Sequence, residues 1–255
     1  MEINVSTQGA VRILTISNER IRNALGAGMA ASLLEQLNAA ENDPAVRVVV
    51  VTGAGAVAFC SGHDLEEIEN GSYAKTGLGE EPFLRPHSMA KPVIAAVNGH
   101  CYAAGFILAL SCDIRVASQN AVFGSPGARL GMLPEGGQLS RLPSLLPRSI
   151  ALELMITAKP LSAERAYQLG FVSQLVPAGE ALDAALDLAK TISESSPAVV
   201  RAVKEGVKQS DPVDYAAALA YEYGVARALE VESDAKEGVR AFFEKRAPVF
   251  QSIGS

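Results

Sequence analysis

The hydrophobic pattern of this chain changes period part-way along, and the change divides it into two textures. Residues 1 to about 125 alternate short apolar runs with helix-like segments. INVSTQGAVRILTIS alternates apolar and polar positions on either side of Gln8-Gly9, which predicts a hairpin. VRVVVVTG (46–53) and PVIAAVNG (92–99) are almost wholly apolar and close on glycine, as strands buried on both faces do. DIRVAS and AVFGS add two shorter strands, and residues 27–43 place Met29, Leu33, Leu34 and Leu37 on one face of a helix. NGHCYAAGFILAL (98–110) predicts a buried helix whose first turn is built from small residues. From about residue 136 the spacing is almost entirely helical, over 136–147, 148–158, 162–169, 178–193, 197–209, 213–232 and 234–246, with GFVSQLVP as the one interruption. No repeat or low-complexity linker separates the two parts. The pattern predicts one α/β core with a helical C-terminal extension.

Composition changes this picture only in what it excludes. A chain of 255 residues, 49% hydrophobic and 20% charged, has the make-up of a globular protein with a substantial core. Its net charge of -6 argues against a general nucleic-acid binder, so a polyanionic ligand must be met by local basic residues or backbone N–H groups. No basic-then-apolar leader opens the sequence, and no stretch reaches a membrane span, so no membrane partner is expected. Cys60, Cys101 and Cys112 lack metal-ligand spacing and read as reduced thiols of a cytoplasmic protein. No metal is expected.

Four stretches carry candidate chemistry. TGAGAVA (52–58) matches the dinucleotide pattern G-x-G-x-x-A at Gly53, Gly55 and Ala58. That pattern needs a helix beginning there and an acidic residue about 20 positions on. Cys60-Ser61-Gly62 breaks such a helix and position 73 is a tyrosine, so a nucleotide site is rejected. In AFCSGHDLEEI (58–68), Ser61, His63 and Asp64 are too close in sequence to align as a hydrolytic triad, and no G-x-S-x-G elbow is present. Asp64 instead suits the N-cap of a short acidic helix. Gly62 permits a sharp turn that leaves the His63 N–H at a loop-to-helix junction, where it can meet a negative oxygen. In NGHCYAAGFILAL, Gly99 and Gly105 bracket a helix start at Ala103-Ala104, a second N–H donor for developing negative charge; close packing of small residues on a sheet is the alternative. In PEGG (134–137), Glu135 sits in a turn before a helix, either as a solvated helix-start carboxylate or as a base.

Taken together these stretches resemble the crotonase superfamily, the enoyl-CoA hydratase/isomerase family. The likeness runs nearly end to end: IRNAL, VRVVVVTGAG with AFCSGHDL, KPVIAAVNG with CDIRVAS, LGMLPEGGQLSRL, AKPLSAERAYQLGFVSQLVP and AFFEKRAPVF. It implies a crotonase-like ββα spiral core over residues 1–195 and a helical trimerisation region over 196–255, assembled as a homotrimer or hexamer. It also implies an acyl-CoA thioester substrate, with coenzyme A entering only as part of that substrate and no separate cofactor. Carried over by position, the oxyanion hole is the N–H of His63 and the N–H of Ala104. Substrate and coenzyme A contacts would fall on Arg22, Ala58, Cys60, Ser61, Asp64, Leu65, Gly105, Ile107, Gly127, Phe242 and Lys245. Ala58 to Ser61 would form a loop meeting adenine, and Phe242 and Lys245 would reach the nucleotide, often that of a neighbouring subunit.

The departure lies at Ile107 and Gly127. The family's hydratases carry their two glutamates there, and neither residue can move a proton. Glu135 occupies the position where the family's isomerases and some relatives carry a catalytic carboxylate. A cavity walled by Phe106, Ile107 and Leu133 would desolvate it and make it a stronger base. The resemblance therefore implies isomerase-type proton transfer by Glu135. The alternatives are a hydratase or dehydratase using Glu135 alone, and a silent acyl-CoA-binding member. Residues 70–86, poor in apolar positions, read as a mobile loop covering the acyl site.

Overall fold

A computed structural model describes residues 2–209, 214–230 and 233–250. Its strands are β1 (Glu2–Gln8), β2 (Val11–Ser17), β3 (Val48–Gly53), β4 (Ala58–Cys60), β5 (Val93–Val97), β6 (His100–Tyr102), β7 (Ile114–Ser118), β8 (Val122–Gly124), β9 (Leu161–Ser162) and β10 (Gln174–Val176). Its helices are α1 (Ala27–Asn42), α2 (Leu65–Glu69), α3 (Glu81–Ser88), α4 (Ala104–Ser111), α5 (Leu142–Leu145), α6 (Arg148–Thr157), α7 (Ala163–Gln168), α8 (Ala181–Ser193), α9 (Pro197–Gln209), α10 (Tyr215–Glu230) and α11 (Ser233–Phe243).

Two sheets emerge from one repeated move. β3, β5 and β7 lie in a large sheet ordered β1-β2-β3-β5-β7-β10, which is parallel beyond the β1–β2 hairpin. Each hands the chain to a short strand of the second sheet, ordered β4-β6-β8-β9. Strand, short strand, helix: the chain spirals, and the first turns of the spiral stack loop upon loop at one end. The expected ββα spiral is present.

The run VVVVTG shows why these residues form the middle of the sheet. Val49 and Val51 face the main core, and Val48 and Val50 face a second core beneath α8. All four are fully buried, and each such side chain favours the folded state by about 1.5–3 kcal/mol. Ala185 and Ala189 of α8, both fully buried, let that helix lie close on the sheet. At the end of β3, a Cβ on Gly53 would collide with the carbonyl oxygens of Ala58 and Phe59. Only glycine lets β3 turn into β4 there.

The structure corrects three local expectations. Ala58–Cys60 is a strand, paired with β6, where an adenine-contacting loop was expected. Residues 70–86 are folded: Tyr73 and Phe83 are buried, Pro82 stands in the first turn of α3, and α3 packs on α1 and α4. The low apolar count hid this, because a few large side chains anchor the segment. Lastly, no continuous helix spans 136–147. Gly136 and Gly137 have φ of 71° and 86°, Pro143 and Pro147 interrupt the rest of the segment, and only α5 forms.

The helical extension folds back on its own chain. A Cβ on Gly238 of α11 would collide with the Leu130 backbone, and Tyr215 of α10 meets the His87 ring edge-on at 4.7 Å between centroids. The described part of the C-terminal region thus packs on the core of its own chain. No helix among the described residues is long and apolar enough to cross a membrane.

Candidate active site

Two loops meet where the second sheet ends. Gly62 has φ of 102°, and a Cβ there would lie 2.8 Å from the Ala103 Cβ and 3.0 Å from the Ala104 nitrogen. Glycine is what permits the approach. Leu25 fixes the first loop by donating its N–H to the Gly62 carbonyl (2.9 Å) and accepting from the Asp64 N–H (3.0 Å). The His63 N–H between them donates to no group among the described residues.

The second loop is held under strain. Ala103 has φ 50° and ψ -123°, a conformation that costs a non-glycine residue about 1–3 kcal/mol. Its N–H donates to the Gly124 carbonyl (3.1 Å), and its carbonyl accepts from Ile107 (3.0 Å) as α4 begins. Gly105 locks the helix to β4, since a Cβ there would collide with the Cys60 carbonyl. Ala104, the first helical residue, points its N–H out of the helix. Two backbone donors on separate loops that meet here can hold one oxygen that gains charge.

A cavity of about 1620 Å³ opens beside these loops, lined by His63, Ala103 and Glu135 among others. A pocket of about 120 Å³ shares those three residues and is further walled by Ala104, Ile107 and Gly127. Both donor loops and Glu135 thus border one space. Leu133 also borders the smaller pocket, as expected. Phe106 does not: it is fully buried against Phe123 and Phe171, at 6.0 and 5.7 Å between rings. One residue along α4 is a rotation of about 100°, which turns Phe106 away from the pocket wall that Ile107 borders.

Glu135 is positioned by a pinned turn. The structure overturns the helix start read from the sequence, so no helix dipole acts on it. The positive-φ pair Gly136-Gly137 turns the chain, and a Cβ on Gly136 would strike the Ile107 side chain at 2.5 Å. Ile107 therefore packs directly beneath the turn, which answers why an apolar residue stands there. From α10, buried Glu222 accepts the N–H of Gly137 (2.7 Å) and of Ser140 (2.9 Å). The Gln138 amide donates to the Glu135 carbonyl (3.1 Å). Glu222 lies far away in sequence, and helical periodicity alone gave no sign of its role.

A second carboxylate escaped the sequence reading. Glu80 borders both cavities, and its Oε1 lies 2.7 Å from His63 Nε2. The His63 ring is wedged edge-on against Tyr73 at 4.3 Å and Phe83 at 4.8 Å. The signal available was Glu80-Glu81-Pro82, an acidic helix start with proline in the first turn.

The other predicted residues separate into those on the cavity and those off it. Arg22, Ser61, Asp64, Leu65 and Phe242 border the large cavity. Arg22 does so with φ of 55°, and Asp64 caps α2 as expected, accepting the Glu66 N–H at 3.0 Å. Ser61 bonds the Ile21 carbonyl and His63 turns to Glu80, so no triad assembles with Asp64. Ala58 and Cys60 are buried in β4 off the cavity wall, with the Ala58 carbonyl already taken by the Asn23 and Asn98 amides. Gly105 acts through packing, and Lys245 does not border the cavity. All three thiols are free and buried, and burial pushes Cys60 and Cys112 up to about 12, which removes them as nucleophiles near neutral pH.

His87 borders the same large cavity but is held neutral. Burial, then the cations of Arg141, Lys208 and Lys204, lower it from 6.5 to about 3. The unfolded chain therefore takes up a proton below 6.5 that the folded chain refuses until about 3. Stability should fall as pH drops through that window. The His87→Gln protein should lose part of this acid dependence, measured by urea unfolding at a series of pH values.

Comparison with known proteins points the same way. The family model described as enoyl-CoA hydratase/isomerase matches residues 6–253. The 2,3-dehydroadipyl-CoA hydratase of Escherichia coli (strain K12) is 37% identical, covering 98% of this chain and 98% of that protein. A short-chain-enoyl-CoA hydratase of Clostridium acetobutylicum is 34% identical, covering 96% and 97% respectively. Among solved structures, a carnitinyl-CoA dehydratase from Mycobacterium avium 104 superposes with a TM-score of 0.90 at 36% identity, covering 98% of each chain.

Proposed function

This chain belongs to the enoyl-CoA hydratase/isomerase family, and we propose that it adds water to, or removes it from, the double bond of an acyl-CoA thioester, with Glu135 as acid and base. The observation that carries this reading is the shared space: His63, Ala104 and Glu135 border one pocket. The thioester oxygen would rest on the two donors and become an enolate there. Glu135 would exchange the proton at Cα. The relatives named as hydratases and dehydratases support this direction over the isomerase reading that the sequence favoured.

Isomerisation remains the second reading, and one observation favours it. Ile107 and Gly127 leave Glu135 without a carboxylate at either position where the family's hydratases place theirs. A panel of 2-enoyl-, 3-enoyl- and 3-hydroxyacyl-CoA esters separates the two. Hydration of 2-enoyl and dehydration of 3-hydroxyacyl esters is the expected result. Turnover of 3-enoyl esters alone would replace the reading with isomerisation, and turnover of none would leave a binding protein.

Coenzyme A would lie in the large cavity, with Arg22 meeting its phosphates and Phe242 its nucleotide end. Activity as proposed uses no cofactor beyond that coenzyme A, in a cytoplasmic protein. A homotrimer or hexamer is part of the same proposal. Val199 and Val203 on α9, exposed on successive turns, support an apolar contact between copies of the chain.

A further inference from the structure

Hydration asks for more than Glu135. A proton must reach Cα while a water is deprotonated and attacks Cβ, and the two positions where the family's hydratases carry carboxylates are Ile107 and Gly127. Yet the pocket bordered by Glu135 and the two donors has a second carboxylate on its wall, from a different element. Glu80 stands at the N-cap of α3, its side chain only 11% exposed. One oxygen lies 2.7 Å from His63 Nε2, within hydrogen-bond distance, so the ring fixes the direction of the carboxylate. The other oxygen, Oε2, is buried and meets no hydrogen-bond partner among the described residues, and the same holds for His63 Nδ1. Buried carboxylate oxygens are normally satisfied. This one belongs to a residue on the wall of both cavities, where a small rotation of the side chain would bring it to whatever enters.

We propose that Glu80, oriented by His63, is the second proton-transferring group of this site and binds and deprotonates the water that adds to the substrate. The assignment rests on the hydratase reading above. The Glu80 carboxylate takes one proton of a water as the water oxygen bonds to Cβ. The π pair of the Cα–Cβ bond moves into the thioester, and the His63 and Ala104 N–H groups hold the enolate oxygen. The enolate then collapses and takes a proton at Cα from the neutral carboxyl of Glu135. Glu80 releases its proton to solvent and Glu135 regains one, so the sum is addition of H and OH. One residue couples the two halves: the backbone of His63 serves the enolate, and its ring aims the base. The Tyr223 phenol is raised by burial first, then by Glu80 and, less strongly, by Glu135, in keeping with both carboxylates facing the same space.

The test separates water activation from Cα chemistry. Glu80→Gln preserves size and the contact with His63 but cannot take a proton. Its hydration of crotonyl-CoA and of 2,3-dehydroadipyl-CoA should fall on the order of 10²-fold. Exchange of the α-protons of butyryl-CoA with deuterated water, which needs only Glu135 and the donors, should stay within a few-fold of wild type. Hydration at the wild-type rate in the Gln protein overturns the assignment. So does a parallel loss of exchange, which would mean that Glu80 merely supports the His63 loop. Should the Gln protein not fold, Glu80→Asp supplies the same comparison, since it keeps the charge but withdraws it by one methylene. A wild-type protein that exchanges butyryl-CoA protons yet hydrates neither ester overturns the Glu80 role and leaves Glu135 standing. A wild-type protein that does not exchange them overturns the reading of Glu135 itself.

Discussion

Glu135→Gln should fold and bind an acyl-CoA as wild type does, yet exchange the α-proton of its substrate about 10²–10⁴-fold more slowly, the usual worth of one positioned general base. Binding survives because the donors of His63 and Ala104 are backbone groups on other loops and are untouched. The turn that carries residue 135 survives as well. Glu222 grips the N–H groups of Gly137 and Ser140, and Gln138 bonds the backbone carbonyl of residue 135, so none of these contacts uses the carboxylate being replaced. Gln keeps the size and a polar carbonyl while losing basicity, so the variant probes chemistry more than packing. The measurement is deuterium uptake by NMR, with acyl-CoA affinity as the control. Exchange at the wild-type rate would reduce Glu135 to a polar turn residue and take the proposed reaction with it.

Much of this site could be read in the sequence because its parts are local. Gly62 before His63, and the small residues before α4, are written in consecutive positions, and each makes its donor by backbone geometry alone. The two-faced strands were as plain: VVVVTG has apolar residues at every position that must meet a core. What could not be read depends on contacts between distant segments. Glu222 reaches the PEGG turn across 85 residues, and nothing in its helix periodicity distinguishes it from a solvated glutamate. Glu80 was hidden differently. Its segment looked too polar to fold, because Tyr73 and Phe83 anchor it with two large rings where pattern reading expects many small contributions. The supposed helix at 136–147 failed for the opposite reason: apolar spacing was present, but two adjacent glycines at positive φ outweighed it.

Ala104→Pro should lower turnover by roughly 10²–10³-fold, the measured worth of one oxyanion-hole donor. The position favours a clean result. Ala104 is the first residue of α4, where proline's fixed φ suits a helix and its missing N–H removes no intrahelical bond. The following turns remain anchored by Gly105 against β4 and by the Ile107 N–H on the Ala103 carbonyl. The ring carbon bonded to nitrogen takes the place of the donated hydrogen, so the substituted chain both loses the donor and fills the space in front of it. Residue 103 already sits outside the helical region at φ 50°, so proline's steric demand on its predecessor does not break a helix there. The loss should appear in the proton-exchange rate as well as in hydration, because both reactions pass through the enolate that the donor holds. This distinguishes Ala104 from Glu80, whose replacement should separate the two rates. A folded Ala104→Pro protein with near-normal exchange, checked by circular dichroism and thermal unfolding, would mean that the enolate oxygen is held elsewhere. His63 would then lose its partner in the oxyanion hole, and the meeting of the Gly62 and Ala103 loops would be a packing arrangement only.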